Sequence, residues 1–312
     1  MATAGKTYKP YTHVAESNAD LVKKVMGRNL NANQNDLLAF IEAVGYYRLK
    51  GSLVPFYQPG TEVFKAGVNF ADIQTVYKFD RYLREMTMNA IARLEVGMRA
   101  RIIKVICESY SNPSEYHKPH VFPKLTVLEH AQLLERIAKS VHQSKNEPFL
   151  RYARHVYGFE DLPPIWTMME VVSFGTMMDI FKGLSEADQQ KVADEFHVRP
   201  AVLHSWFALI QRVRNVCAHH GRLWNRHLQN PLSVTPGSQP QLAPLIACLK
   251  AQTLQSCTTV FSALSVILYC LQIVRPQSGW KGRCKSMLAG TTQFVRNGMG
   301  VPANWQNLSL WK

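Results

Sequence analysis

A helical repeat from residue 71 to residue 109 restricts the fold more than any other feature of the sequence. Apolar side chains recur there at intervals of three and four, which places them on one face of an α-helix. They are Val76, Phe79, Leu83, Met86, Ala90, Leu94, Met98 and Ile102. The pair Asn112-Pro113 ends the repeat, because a proline ring blocks helix continuation. The repeat therefore predicts one long helix.

Similar spacings predict helices over most of the remaining chain. The predicted segments are 17–27, 34–45, 125–143, 147–157, 164–182, 186–196, Pro200 to His219 or His220, 245–274, and a short one around 290–297. Residues 46–70 are rich in glycine, proline and aromatic residues and predict an irregular connector, and weak strand signals are confined to about 53–64. The predicted fold class is all-α. It comprises an N-terminal helical extension (1–70), a helical bundle domain (71–275) and a basic, irregular C-terminal tail (276–312).

An uncharged stretch between Lys250 and Arg275 is long enough to cross a bilayer. Its polar residues recur at helical spacing and form a stripe opposite the apolar ones; they are Gln255, Thr259, Ser262 and Ser265. This pattern favours a half-buried helix of a soluble bundle over a membrane span. The N-terminal MATAGKTYKP has no apolar core, so no signal peptide is expected.

The six cysteines contain no CxxC pair and no tight cluster. Free thiols in a reducing cytosol are therefore expected, with neither a zinc knuckle nor a disulfide framework. His117, His120 and His130 show no coherent ligand spacing, so no metal and no cofactor are assigned.

Charge is segregated along the chain, whose net charge is +14. All 22 acidic residues lie at or before Glu195, and the residues from Phe196 onward contain twelve basic residues and no acid. A half-chain without carboxylates cannot neutralise its own arginines, so its natural partner is a polyanion. Nucleic acid is the leading candidate and an anionic membrane surface the second. The same half offers no carboxylate for a magnesium or calcium site.

The segment RNVCAHHGRLWNRH, from Arg214 to His227, combines basic, aromatic and imidazole groups near a predicted helix end. Asn215 and His219 are four apart and share one helix face, with Arg214 at its margin. Gly221 is expected to end the helix and leave His219 at its terminus. Arginine can grip a phosphate and histidine can move a proton near neutral pH, which are the functions that metal-free RNA cleavage requires.

The Arg-x4-His spacing alone is weak, because chance predicts about 0.6 occurrences in a chain of this composition. Three occur: Arg199/His204, Arg214/His219 and Arg222/His227. Context favours the middle pair. His204 begins a helix, where it is expected to face solvent or cap a neighbour, and Arg222/His227 straddles a turn.

Four segments, in order along the chain, resemble the Abi-like abortive-infection proteins of the AbiD/AbiF type, a branch of the HEPN superfamily. They are GYYRLKGSLVPF (45–56), FDRYLREMTMNAIARLEVGMRARI (79–102), LPPIWTMMEVVSFGTM (162–177) and RNVCAHHGRLWN (214–225). The resemblance extends over about residues 20–275.

The resemblance implies an all-helical HEPN ribonuclease that acts without a metal in an abortive-infection or toxin–antitoxin system for phage defence. Arg214 and His219 match the family's Arg-x4-His pair, and Asn215 matches its polar residue. HEPN proteins commonly build the site from two facing copies of the motif, so a homodimer is implied. Some members are encoded beside a structured noncoding RNA, so an RNA that restrains the protein is a further expected partner.

Further residues are candidates for RNA contact: Arg212, His220, Arg222, Trp224, Arg226, Lys281, Arg283 and Lys285. Trp224 can either stack on a base or anchor the turn. Glu95 is expected to form an ion pair with Arg99 on the same helix, and the alternative is that Glu95 or Glu170 orients Arg214. Trp166 and Phe174 are expected in the core. The alternatives to a nuclease are an RNA-binding protein that does not cut and, third, a peripheral membrane protein.

Overall fold

The chain is all-α, which confirms the predicted fold class. The computed structural model describes residues 14–159, 162–228, 239–252 and 258–312. Within these ranges it contains fourteen α-helices, and β structure is limited to two isolated bridges, Asn31–Asn69 and Tyr57–Phe64. Two compact units meet in sequence between Phe79 and Asp80.

The N-terminal unit contains three short helices: α1 (Asn18–Met26), α2 (Gln34–Val44) and α3 (Tyr46–Leu53). The side chains of Ser17 and Asn33 cap α1 and α2 by accepting hydrogen bonds from first-turn amides. Gly45, with φ +80°, lets the chain turn between α2 and α3. The expected irregular connector is wrong for residues 46–53, because Leu49 and Leu53 form a buried i,i+4 pair that supports a helix.

Eleven helices follow in the described chain, and the first of them, α4 (Phe70–Ser109), agrees closely with the predicted long helix. The others are α5 (Val127–Gln143), α6 (Pro148–Tyr157), α7 (Ile165–Val171), α8 (Phe174–Gly183), α9 (Glu186–Asp194), α10 (Pro200–Ala218), α11 (Ala243–Lys250), α12 (Val260–Val274), α13 (Trp280–Ala289) and α14 (Gln293–Gly298). Proline occupies the first position of α6 and α10, where its missing amide costs no hydrogen bond.

The predicted single helix at 164–182 is interrupted between α7 and α8. Ser173 caps α8 by accepting a hydrogen bond from the amide of Thr176, while Val172 is extended. The carbonyl of Val172 accepts a hydrogen bond from Arg99 of α4 at 3.0 Å. At the start of α8, a methyl group on Gly175 would lie 2.8 Å from the amide nitrogen of Gln211, so α8 and α10 pack closely there.

The predicted helix at 245–274 corresponds to two helices, α11 and α12, of which α12 lies in the uncharged stretch. Residues 253–257, including Gln255, lie outside the described part of the chain. Every residue of α12 from Val260 to Leu271 is buried, so the expected half-buried helix is wrong. Its serines bond internally: Ser262 donates to Gln252 at 2.6 Å and Ser265 accepts from the indole of Trp311 at 3.1 Å. Among the described helices, none has the length and apolar character that a membrane crossing requires.

The C-terminal segment is ordered and packed, which corrects the expected irregular tail. Helix α13 was not predicted, whereas α14 confirms the short helix expected around 290–297, and the two account for 16 of the 37 residues. The indoles of Trp280, Trp305 and Trp311 are buried. The Trp280 indole donates to the carbonyl of Met86 in α4 at 2.8 Å. Each buried indole contributes about 4–6 kcal/mol of transfer free energy. The segment is therefore part of the hydrophobic core.

Candidate active site

The residues of the RNVCAHHGRLWN segment lie at the end of α10. The helix closes with two hydrogen bonds, from the Gly221 amide to the Val216 carbonyl (2.8 Å) and from the His220 amide to the Cys217 carbonyl (3.0 Å). This is a Schellman motif, in which glycine usually occupies the left-handed position. Here His220 occupies it, with φ +55°. Space is tight at Gly221, because a methyl group there would lie 3.3 Å from the Val216 carbonyl oxygen.

An open groove of about 560 Å³ runs along the exposed face of α10 and around its end. Its lining residues from α10 recur at intervals of three and four, so they share one face. The lining comprises Ala208, Gln211, Arg212, Asn215, Val216, His219, Gly221 and Arg226. Two guanidinium groups, one imidazole and two side-chain amides therefore surround the space, and none of the lining residues that the structure describes carries a carboxylate. Such a space suits a phosphodiester, which carries one negative charge.

His219 and Asn215 are both exposed on this groove. Arg214 lies one position round the helix and is half-buried, with its Nη1 3.5 Å from the side-chain oxygen of Asn215. Its Nε is buried and has no hydrogen-bond partner in the described chain. A buried donor without an acceptor is costly. Arg214 does not line the groove itself, but it contacts Asn215, which does.

Neither glutamate considered as an orienting group for Arg214 contacts it. Glu95 forms an ion pair with Arg99 at 2.6 Å, and the Glu170 side chain is exposed. In the described residues no ion pair joins either carboxylate to Arg214. The orienting role is therefore wrong for both, and the helical ion pair is the correct interpretation of Glu95. Together with its bond to Val172, Arg99 ties α4 to the break between α7 and α8.

Asp80 of α4 holds the turn that follows α10. Its buried carboxylate accepts hydrogen bonds from the backbone amides of Leu223 (2.9 Å) and Trp224 (2.6 Å) and forms an ion pair with Arg84. Burial raises the pKa of the Asp80 carboxyl, and the two amides and Arg84 oppose that rise. The sequence interpretation missed this residue. A signal existed, because Asp80 interrupts the apolar stripe between Val76 and Leu83.

Trp224 is buried, so its ring cannot stack on a base and the suggested RNA contact is wrong. It is 1% exposed, and its indole donates to the Val295 carbonyl at 2.9 Å. The ring lies so close to α14 that a methyl group on Gly298 would be 2.6 Å from it. Trp224 is thus the anchor of the turn.

The two arginines that flank Trp224 differ, since only Arg226 lines the groove. Arg226 lines it and donates from Nε to the carbonyl of Arg222 at 2.7 Å. Burial lowers the pKa of Arg222, and the charge of Asp80 acts in the opposite direction. The ring of His227, the partner in the third Arg-x4-His pair, lies within hydrogen-bond distance of the Thr258 hydroxyl, 3.0 Å from Nδ1.

The basic residues of α13 belong to another surface and do not line this groove. Arg283 donates to the carbonyl of Ser278 at 3.4 Å, and Lys285 donates to the carbonyl of Lys312 at 3.0 Å. Burial lowers the pKa of Lys281, and repulsion from Lys285 adds to the effect. Two further expectations are wrong: Trp166 is 49% exposed, and His204 is half-buried, with its ring centroid 4.7 Å from that of Phe181.

The described part of the chain contains no group of three His, Cys, Asp or Glu side chains placed to hold a metal ion. Cys217, inside the motif, is buried, and burial raises the pKa of its thiol to about 12. A thiol with that pKa stays protonated near neutral pH and is a poor nucleophile. The groups available for chemistry are therefore the imidazole, the guanidinium groups and the amides.

The sequence profile of the family described as Abi-like protein matches residues 39–225, which is more than half of the chain. The chain belongs to this family. The matched range contains α10, the turn held by Asp80 and all four segments that carried the resemblance. Its family membership indicates a role in abortive infection, a form of phage defence. No curated protein and no solved structure matches the chain.

Proposed function

We propose that this protein is a metal-independent HEPN-type endoribonuclease, of the AbiD/AbiF type, that acts in a toxin–antitoxin system for phage defence. The supporting observation is the groove at the end of α10. It exposes His219 and Asn215 together with Arg212 and Arg226, none of its described lining residues carries a carboxylate, and Arg214 contacts Asn215. A negatively charged strand can approach this groove without repulsion.

The proposed reaction is attack of a ribose 2′-oxygen on the adjacent phosphorus. The 2′-hydroxyl loses its proton to a base, the O2′–P bond forms, the P–O5′ bond breaks and the leaving 5′-oxygen takes a proton from an acid. His219 serves as one of these proton carriers. Arg214 and Asn215 stabilise the extra negative charge on the phosphorane oxygens by hydrogen bonding. The products are a 2′,3′-cyclic phosphate and a 5′-hydroxyl.

The reaction needs a base and an acid, and we infer that a second copy of the chain supplies the second imidazole. In this arrangement the two α10 ends face each other across a twofold axis. His220, next in sequence, is the alternative within one chain. Light scattering of the purified protein tests the dimer, and a mass of one chain at assay concentration contradicts it.

The experiment is cleavage of an end-labelled RNA in the presence of EDTA, after bound RNA has been removed with high salt. The wild-type protein should give products whose 5′-hydroxyl accepts phosphate from polynucleotide kinase without prior dephosphorylation. His219→Ala should abolish cleavage. His142→Ala, which removes an exposed imidazole from α5, is the matched control and should cleave normally. Intact RNA with the wild type, or unchanged cleavage by His219→Ala, contradicts the proposal.

An RNA-binding protein that does not cut is the second candidate, and the acid-free half of the chain favours it equally. It predicts RNA binding that weakens steeply as salt rises, with no product at any enzyme concentration. The nucleic-acid content of the purified protein, read from its 260/280 nm absorbance, identifies a bound restraining RNA before either assay.

A further inference from the structure

Two arginines from different helices share one backbone acceptor at the connection between α12 and α13. Arg93 of α4 donates from Nη1 to the carbonyl oxygen of Ser278 at 3.2 Å, and Arg283 of α13 donates to the same oxygen at 3.4 Å. Arg283 also donates to the side-chain oxygen of Asn89 at 3.3 Å. The two guanidinium groups are therefore held close together despite their like charge.

A third guanidinium group belongs to the same region. Arg275, the residue that ends α12, is exposed and lines a groove together with Arg93, Asn89 and Ser278. No ion pair of the described residues neutralises Arg93, Arg275 or Arg283. The lining residues from the end of α12 and the connection after it, from Val274 to Ser278, belong to the part of the chain that contains no acid. Three uncompensated cations favour the binding of an anion.

The groove has a volume of about 590 Å³, and its lining residues differ from those of the groove at the end of α10. Its apolar side is formed by Val96 and Val274, beside the polar groups. Gly97 permits this arrangement, because a methyl group there would lie 2.0 Å from Cγ1 of Val274. The space is large enough for a nucleotide unit, with charged donors on one side and apolar surface on the other.

We propose that Arg93, Arg275 and Arg283 form a phosphate-binding site for the backbone of RNA, apart from the groove that contains His219. The planar fork of a guanidinium group matches the oxygens of a phosphate. The identity of the anion as RNA rests on the proposed function. The site adds affinity for the strand and takes no part in bond cleavage.

The test is binding of a fluorescent single-stranded RNA in which every ribose is 2′-O-methylated, so that cleavage is blocked and the wild-type protein can be used. Each phosphate contact to a single strand contributes about 0.7 to the slope of log affinity against log salt. Arg275→Gln should make the slope shallower by about 0.7, and Arg275→Lys should retain it. Arg151→Gln removes an exposed arginine of α6 and is the matched control. Melting curves check that each variant is folded.

An Arg275→Gln slope equal to that of Arg151→Gln overturns the proposal. Titration with inorganic phosphate and with AMP forms the second arm. If phosphate or AMP binds tightly to the wild type and Arg275→Gln abolishes that binding, while the salt slope for RNA is the same in both proteins, the ligand is a small phosphate compound and RNA is overturned. The nuclease proposal fails separately. If unmodified RNA stays intact while Arg275→Gln changes the salt slope, the phosphate-site proposal is supported and the nuclease proposal is contradicted.

Discussion

Replacing Asp80 by asparagine should lower the free energy of unfolding by about 3–5 kcal/mol, the range for breaking a buried ion pair by removing one partner. Asparagine keeps the shape and one acceptor oxygen, so the amides of Leu223 and Trp224 retain a weaker partner. The main cost is the charge of Arg84, which is 9% exposed and loses its counter-ion. Charge-assisted bonds to the two amides also become neutral ones, at about 1 kcal/mol each.

Urea denaturation followed by far-ultraviolet circular dichroism measures this change. Asp179→Asn breaks an exposed ion pair with Arg136 and is the matched control, with an expected loss of at most about 1 kcal/mol. The double variant Asp80→Asn/Arg84→Met should recover part of the loss, since an apolar side chain leaves no unpaired charge. The reasoning is refuted if Asp80→Asn costs no more than Asp179→Asn, or if adding Arg84→Met makes the protein still less stable.

Three further changes test individual contacts by the same denaturation method. Burial lowers the pKa of His204 to about 4, so the stability that this residue contributes is complete above pH 6.5 and falls, by at most about 3 kcal/mol, as pH drops from 6.5 to 4. His204→Phe should flatten that pH dependence, and an unchanged slope would contradict the assignment. Gly298→Ala should cost about 1–3 kcal/mol through the clash with Trp224, and full stability would show that α14 can move aside. His220→Gly should add up to about 1 kcal/mol by relieving the left-handed conformation, and a loss would mean that the imidazole is structurally required.

Local signals in the sequence predicted the helices well. The apolar spacing located α4 to within one residue at its start, and Pro200 marked the first turn of α10. Both features depend on residues close in sequence. The break between α7 and α8 was missed because the helical spacing of apolar residues continues across it. The break is made by Ser173, whose side chain caps the start of α8. A single capping serine inside a periodic segment is a weak signal.

The turn after α10 depends on contacts between residues far apart in sequence, and these could not be predicted. Asp80 accepts hydrogen bonds from amides more than 140 positions later. The polarity and arginine flanks of Trp224 suggested a surface role, but its burial depends on α14, a helix that the sequence places in an irregular tail. The residues next to Trp224 in sequence therefore indicated the charge around it but not whether its side chain is buried.

Trp224 packs against α14, which lies beyond the residues that the family profile matches. The part of the chain that must fold together is therefore longer than the matched range. The profile match ends at residue 225, and the indole of Trp224 requires the Val295 carbonyl and the bare backbone of Gly298. A fragment truncated at residue 225 would lack α14 and would expose this large apolar ring to water. Such a fragment should aggregate when expressed, whatever its content of recognisable sequence, so truncation studies of the groove need to retain α13 and α14.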